Sequence, residues 1–166
     1  LIRRSLRLAL ARHAPTTQLQ SQRLTLQRLA CDADMVLDLH CDNEAVLHRY
    51  TLPALWSEVE PLARLTGTRA VLMADVSGDE PFDEACSRLW WDLAAHFGPD
   101  YPIPPSCVAT TVELRGQADV SYDYAEGDAR GLLRYLAHEG VIDQPPGELP
   151  EPLCQPTPLE GVEPID

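Results

Sequence analysis

Lysine is absent from this 166-residue chain; all thirteen basic residues are arginine. Acid is absent from residues 1–31, which hold Arg3, Arg4, Arg7, Arg12, Arg23 and Arg28. The net charge of −13 therefore leaves −19 on the remainder. That balance argues against a nucleic-acid partner, because the arginines interleave with leucines as one helix face and the acidic remainder repels phosphate. The basic start has the composition of a mitochondrial presequence, yet it runs without a break into a second helical segment. No apolar run approaches the roughly 20 residues of a membrane span, so no membrane partner is expected. Cys-x-x-Cys pairs are lacking too. The five cysteines (Cys31, Cys41, Cys86, Cys107, Cys154) are odd in number and scattered, against a disulfide framework or a structural zinc cluster and in keeping with a reducing cytoplasm. There is no internal repeat. Leu1 stands where a Met would start a chain, and seven prolines fall in residues 144–166. Both ends lead us to expect a piece of a longer protein.

What is present reads as alternating helices and strands, an α/β layer structure. Residues 1–12 place Ile2, Leu6, Ala9 and Leu10 on one side at helical spacing. A second helix follows to about Cys31, capped by Thr16 or Thr17. Residues 35–39 form a short apolar run with the length of a buried strand, followed by a polar exit over 42–51. Pro53 opens a loop or turn, and residues 58–65 read as a helix stopped by Gly67. Residues 69–74 are a second strand with a polar exit at 75–79. A helix over 82–97 follows Pro81 and packs through Trp90 and Trp91. A loop with four prolines leads to a β-branched third strand over 106–114. Residues 122–138 space their apolar side chains as a last helix, stopped by Gly140. The stretch from Gln144 onward reads as a linker with little packing.

Ligands and catalytic groups of open α/β sheets gather outside the carboxyl ends of strands. Two residues occupy such places, His40 after the first strand and Glu113 at the end of the third. Imidazole is the commonest protein metal ligand, and a separate carboxylate can take a proton from a metal-bound water. Each also has a structural reading: His40 bonding a carbonyl, Glu113 pairing with Arg115. Asp38, two residues before His40, can orient its ring. Arg115, two residues past Glu113 and expected on its face, is the first choice for an anionic substrate group, with Arg88 and Arg49 behind it. Cys41 points away from His40 on a strand, which disfavours a thiol–imidazole pair. His48, His96 and His138 read as solvated.

The stretches Asp38-Leu39-His40-Cys41-Asp42, Phe82-Asp83-Glu84-Ala85-Cys86 and Thr111-Val112-Glu113-Leu114-Arg115-Gly116 together resemble the succinylglutamate desuccinylase/aspartoacylase family. The resemblance spans most of residues 1–143 and continues through 157–161. It implies part of the three-layer, mixed-sheet α/β fold of zinc carboxypeptidases (phosphorylase/hydrolase-like), truncated at both ends. Residues 1–143 would be the later part of the catalytic domain, and 144–166 a linker toward a C-terminal β-rich domain. It also implies a zinc-dependent amide hydrolase acting on an N-acyl amino acid or peptide-like substrate. Here His40 matches a zinc ligand and Glu113 the general base. The family's upstream His-x-x-Glu ligand pair has no counterpart ahead of His40, and its Asn-Arg substrate grip is not recognisable. Two rivals stay open: a non-catalytic interaction module or pseudoenzyme, and a thiol hydrolase using Cys41 or Cys107.

Overall fold

A computed structural model describes residues 1–76, 81–158 and 161. Its helices are α1 (Ile2–Arg12), α2 (Gln18–Ala30), α3 (Trp56–Thr66), α4 (Phe82–Phe97) and α5 (Tyr122–His138), with a 3-10 turn at Pro53–Leu55. Its strands are β1 (Met35–Asp42), β2 (Leu47–Thr51), β3 (Ala70–Met73), β4 (Val108–Gly116) and β5 (Pro156–Pro158). They form one mixed sheet in the order β1-β4-β2-β3-β5. β2 pairs antiparallel with β4 and parallel with β3, which pairs parallel with β5. The α/β class and mixed sheet are as expected. The expected polar exits and tail match lie partly outside the described residues, at 77–80, 159–160 and 162–166.

Contacts divide the chain into two compact units, Leu1–Asp38 with Val76–Ala109, and Leu39–Asp75 with Thr110–Asp166. In the first, the Thr17 hydroxyl caps α2 by accepting from the Gln20 N–H at 3.1 Å, one of the donors a helix start leaves open. Arg3 and Arg7 tie α1 to the loop after α2 through Asp34 and Asp32. The core here is Cys86, Trp90, Cys107 and Ala109, with Ile2, Ala30, Val36, Phe82 and Ile103 packed against it.

In the second unit, α3 and α5 pack closely. A Cβ on Gly131 would lie 2.8 Å from the Leu65 carbonyl, so only glycine allows this approach. Tyr135 adds a hydroxyl bond to the Glu58 carbonyl at 3.2 Å. Gly67 ends α3 at φ 70, the left-handed cap its position predicts.

Three expectations change here. Residues 47–51 are not an exit loop but β2, nearly all buried. β1 runs on through His40 to Asp42, so His40 lies within the strand. The tail also docks. Arg64 donates to the carbonyls of Pro150 and Leu149, Arg134 to those of Pro146 and Glu148, and residues 156–158 ladder onto β3. Proline prevents a helix or central strand but leaves carbonyls free to accept and suits a sheet edge.

Candidate functional site

The register of the strands decides which side chains meet. Val108 N–H donates to the Asp34 carbonyl at 2.9 Å, and Gln117 N–H to that of Asp42 at 2.7 Å. β1 and β4 therefore run in the same direction, eight steps along β1 matching nine along β4. The ladder from β4 to β2 is regular from Thr111 to Leu114, and Arg115 follows with φ 87. Arg115 is the extra residue, a β-bulge. Counted from the Asp34–Val108 bond, His40 stands opposite Glu113 on the same face. Across β4's other edge, His48 is the direct partner of Glu113.

Glu113 is half-buried, and its Oε2 is buried without a hydrogen-bond partner among the described residues. Such an atom is rare enough in folded proteins to call for a reason. His48, expected to be solvated, is 6% exposed. Its Nδ1 lies 2.9 Å from the Val46 carbonyl; a carbonyl only accepts, so Nδ1 carries the hydrogen. Tyr50 follows on the same face, its ring edge-on to His48 at 5.4 Å and 73°. Burial raises the Tyr50 phenol above its ordinary value, and the charges of Glu113 and Asp42 raise it further.

The opposite face holds different chemistry. Arg49 is fully buried there and donates to Thr68 at 2.6 and 3.1 Å and to Thr66 at 2.8 Å. Its Nη1 has no partner among the described residues, and burial brings the guanidinium down to about 10.

The bulge turns Arg115 away from Glu113, against the expectation that both share a face. Its Nη1 and Nη2 donate to the Asp128 carboxylate at 2.7 and 2.8 Å, and its guanidinium lies 4.4 Å from the Tyr124 ring centroid. The Asp128 bond holds the Arg115 guanidinium above its ordinary range. An anionic substrate group would thus have to displace Asp128 or use what remains of the fork. These side chains, with Leu39, His40 and Leu114, line a cleft of about 610 Å³ that Glu113 does not line.

His40 is solvent-exposed and Asp38 half-buried on β1. The Asp38 charge also helps to raise the Cys86 thiol, after burial, Cys107 and Asp83. Arg88 lies in the first unit and pairs loosely with Asp92 at 3.7 Å. Cys41 is exposed. Among the described residues, no three His, Cys, Asp or Glu side chains come together as a metal-holding group. Sequence reasoning missed His48 and Tyr50. Their signal was the alternation of Leu47, Arg49 and Thr51 with His48 and Tyr50, hidden because the inward-facing set includes an arginine.

Searches against family models and against curated proteins find no match. Solved structures do match. A succinylglutamate desuccinylase/aspartoacylase family protein from Shewanella amazonensis SB2B superposes with TM-score 0.75 and 30% identity over 96% of this chain. One from Shewanella frigidimarina NCIMB 400 gives 0.73 and 28% over 95%. The chain is similar to these two family proteins in sequence and in fold. It spans 44% and 42% of the length of those two proteins. The product-bound ectoine utilization protein EutE of Ruegeria pomeroyi, at TM-score 0.55 and 15% identity over 89% of this chain and 42% of its own, shares the fold. No helix among the described residues is long and apolar enough to cross a membrane.

Proposed function

We propose that the chain contributes the general base and one zinc ligand to an amide hydrolase acting on an N-acyl amino acid or related small peptide-like substrate. The observation that carries this reading is the orphaned, buried Oε2 of Glu113, in a fold related to the desuccinylase/aspartoacylase family. A carboxylate oxygen with no donor of its own is a ready proton acceptor. Glu113 takes a proton from the attacking water and returns it to the leaving amine. A zinc ion, when bound, would polarise the amide carbonyl and acidify that water. The exposed imidazole of His40, opposite Glu113, suits one place in such an ion's shell.

A catalytic zinc takes three protein ligands, and the donor set described here does not complete that number. These 166 residues alone would bind zinc weakly and turn over no substrate, the other ligands having to come from outside them. Asp38 would orient His40. Arg115 offers a cation for a substrate carboxylate once Asp128 lets go. No nucleic acid or membrane takes part in this reading, and five free thiols suit a reducing cytoplasm.

The test pairs metal analysis with turnover of N-acyl amino acids, in a form of the protein that holds zinc. Glu113→Gln should keep the metal and lower kcat by roughly two to four orders of magnitude. His40→Ala should lose the metal, because two ligands fall short of three. Loss of metal in Glu113→Gln, with metal and activity kept in His40→Ala, would reverse the roles. If no form that carries His40 binds zinc or turns over substrate, the non-catalytic α/β module takes this reading's place.

A further inference from the structure

We propose that Tyr50 is a positioning residue for Glu113, its hydroxyl being the donor for the carboxylate oxygen that lacks one, with His48 bracing the phenol ring. The proposal rests on the reading of Glu113 as the proton acceptor and adds what aims it.

Three relationships carry it. His48 pairs with Glu113 and Tyr50 with Thr111 across the β2–β4 ladder, so all four side chains share one face. Tyr50 and Glu113 are then diagonal neighbours, a separation that an aromatic and a long side chain span. His48 presses edge-on against Tyr50 while its Nδ1 is anchored to the Val46 carbonyl, which limits where the phenol can swing. Finally, Oε2 of Glu113 is buried with no partner among the described residues, and an open acceptor in such a place is costly.

The choice falls on Tyr50 by chemistry. With its hydrogen on Nδ1, a neutral His48 offers a lone pair at Nε2, and a lone pair cannot bond a carboxylate. Thr111, two residues before Glu113 on β4, is the rival donor. Burial and, after it, the Glu113 charge raise the Tyr50 phenol, in keeping with nearness. The bond is open in the structure, and closing it would take a rotamer change in one of the two side chains. A closed bond holds one carboxylate oxygen and leaves the other to face the water.

The test follows the phenol of Tyr50 in the 166-residue chain by pH-dependent NMR of ¹³C-labelled tyrosine. Glu113 on β4, Asp42 on β1 and His48 on β2 are the titratable groups around it. Glu113→Gln should lower the Tyr50 midpoint toward its ordinary value, and Thr111→Val should leave it in place. An unmoved midpoint in Glu113→Gln overturns the proposal. In a form that turns over substrate, Tyr50→Phe should lower kcat about tenfold with KM little changed, as expected for a group that aims another. An equal loss in Thr111→Val with none in Tyr50→Phe assigns the donor to Thr111 and overturns it too. The NMR result needs neither zinc nor turnover. If the coupling is present but Glu113→Gln keeps full activity, the hydrolase reading fails and the Tyr50–Glu113 contact survives it.

Discussion

Asp128 on α5 grips Arg115 on β4 by both ends of the guanidinium, at 2.7 and 2.8 Å. Both side chains are mostly buried, 19% and 12% exposed. Removing one partner of such a pair leaves an uncompensated charge. Asp128→Ala should therefore cost about 2–4 kcal/mol in denaturant unfolding, more than an exposed pair such as Arg130–Glu126 would. Arg115→Lys should not restore stability, since an ammonium cannot form the fork. Equal, small effects from Asp128→Ala and Glu126→Ala would show that the bulge stores no useful contact.

Gly131 should tolerate no side chain. Its missing Cβ would meet the Leu65 carbonyl at 2.8 Å and the Thr66 Cα at 3.0 Å, both backbone atoms that cannot turn aside. Gly131→Ala should destabilise by about 1–3 kcal/mol as an overpacked contact, despite alanine's better helix propensity. Gly127, on the same helix with open space around it, should respond in the opposite direction. Thermal melts of the two variants decide it.

Alkaline pH should loosen the first unit. Burial, aided by the neighbouring Cys107 thiol, pushes Cys86 up to about 12; burial pushes Cys107 up to about 11. In the unfolded chain both thiols titrate near their ordinary values, so unfolding releases protons and stability falls as pH rises from about 9. The loss by pH 11 should be on the order of 1–3 kcal/mol, and smaller in Cys86→Val/Cys107→Val. Tyr50 and Tyr135 are shifted in the same direction, so the comparison between variants carries the result. The exposed Cys41 should react first with a thiol reagent at neutral pH, as accessibility dictates.

The tail should be held by two arginines. Arg64→Ala and Arg134→Ala each remove the donor to a pair of carbonyls between Pro146 and Pro150. Hydrogen exchange of the amides in residues 147–155 should quicken in both variants while α1 and α2 keep their rates. Unchanged exchange would mean that the ladder to β3 alone holds the segment.

Much of the fold could be read along the chain because its local signals agree. Thr17 caps α2, Pro81 and Gly98 bracket α4, and Ser121 opens α5 by accepting from the Tyr124 N–H. What escaped was set by distant partners. Arg49 looks like a surface residue until Thr66 and Thr68 bury it, and with it β2 disappears from view. Pro156 looks like a strand breaker until β3 offers an edge. His40 and Glu113 stood out through their residue types and neighbouring motifs. That Arg115 parts company with Glu113 depends on one backbone angle, and no composition rule announces a bulge.

β1 is the outermost strand of the sheet among those described, and it carries His40. One of its edges is laddered to β4, and the other has no sheet partner there. An unladdered edge is a template for any extended chain that comes near. A second copy laid along that edge would change the surroundings of the imidazole in step with concentration. Signals from His40 should drift with dilution even when pH and metal are fixed, and those from Tyr135, enclosed between helices, should not.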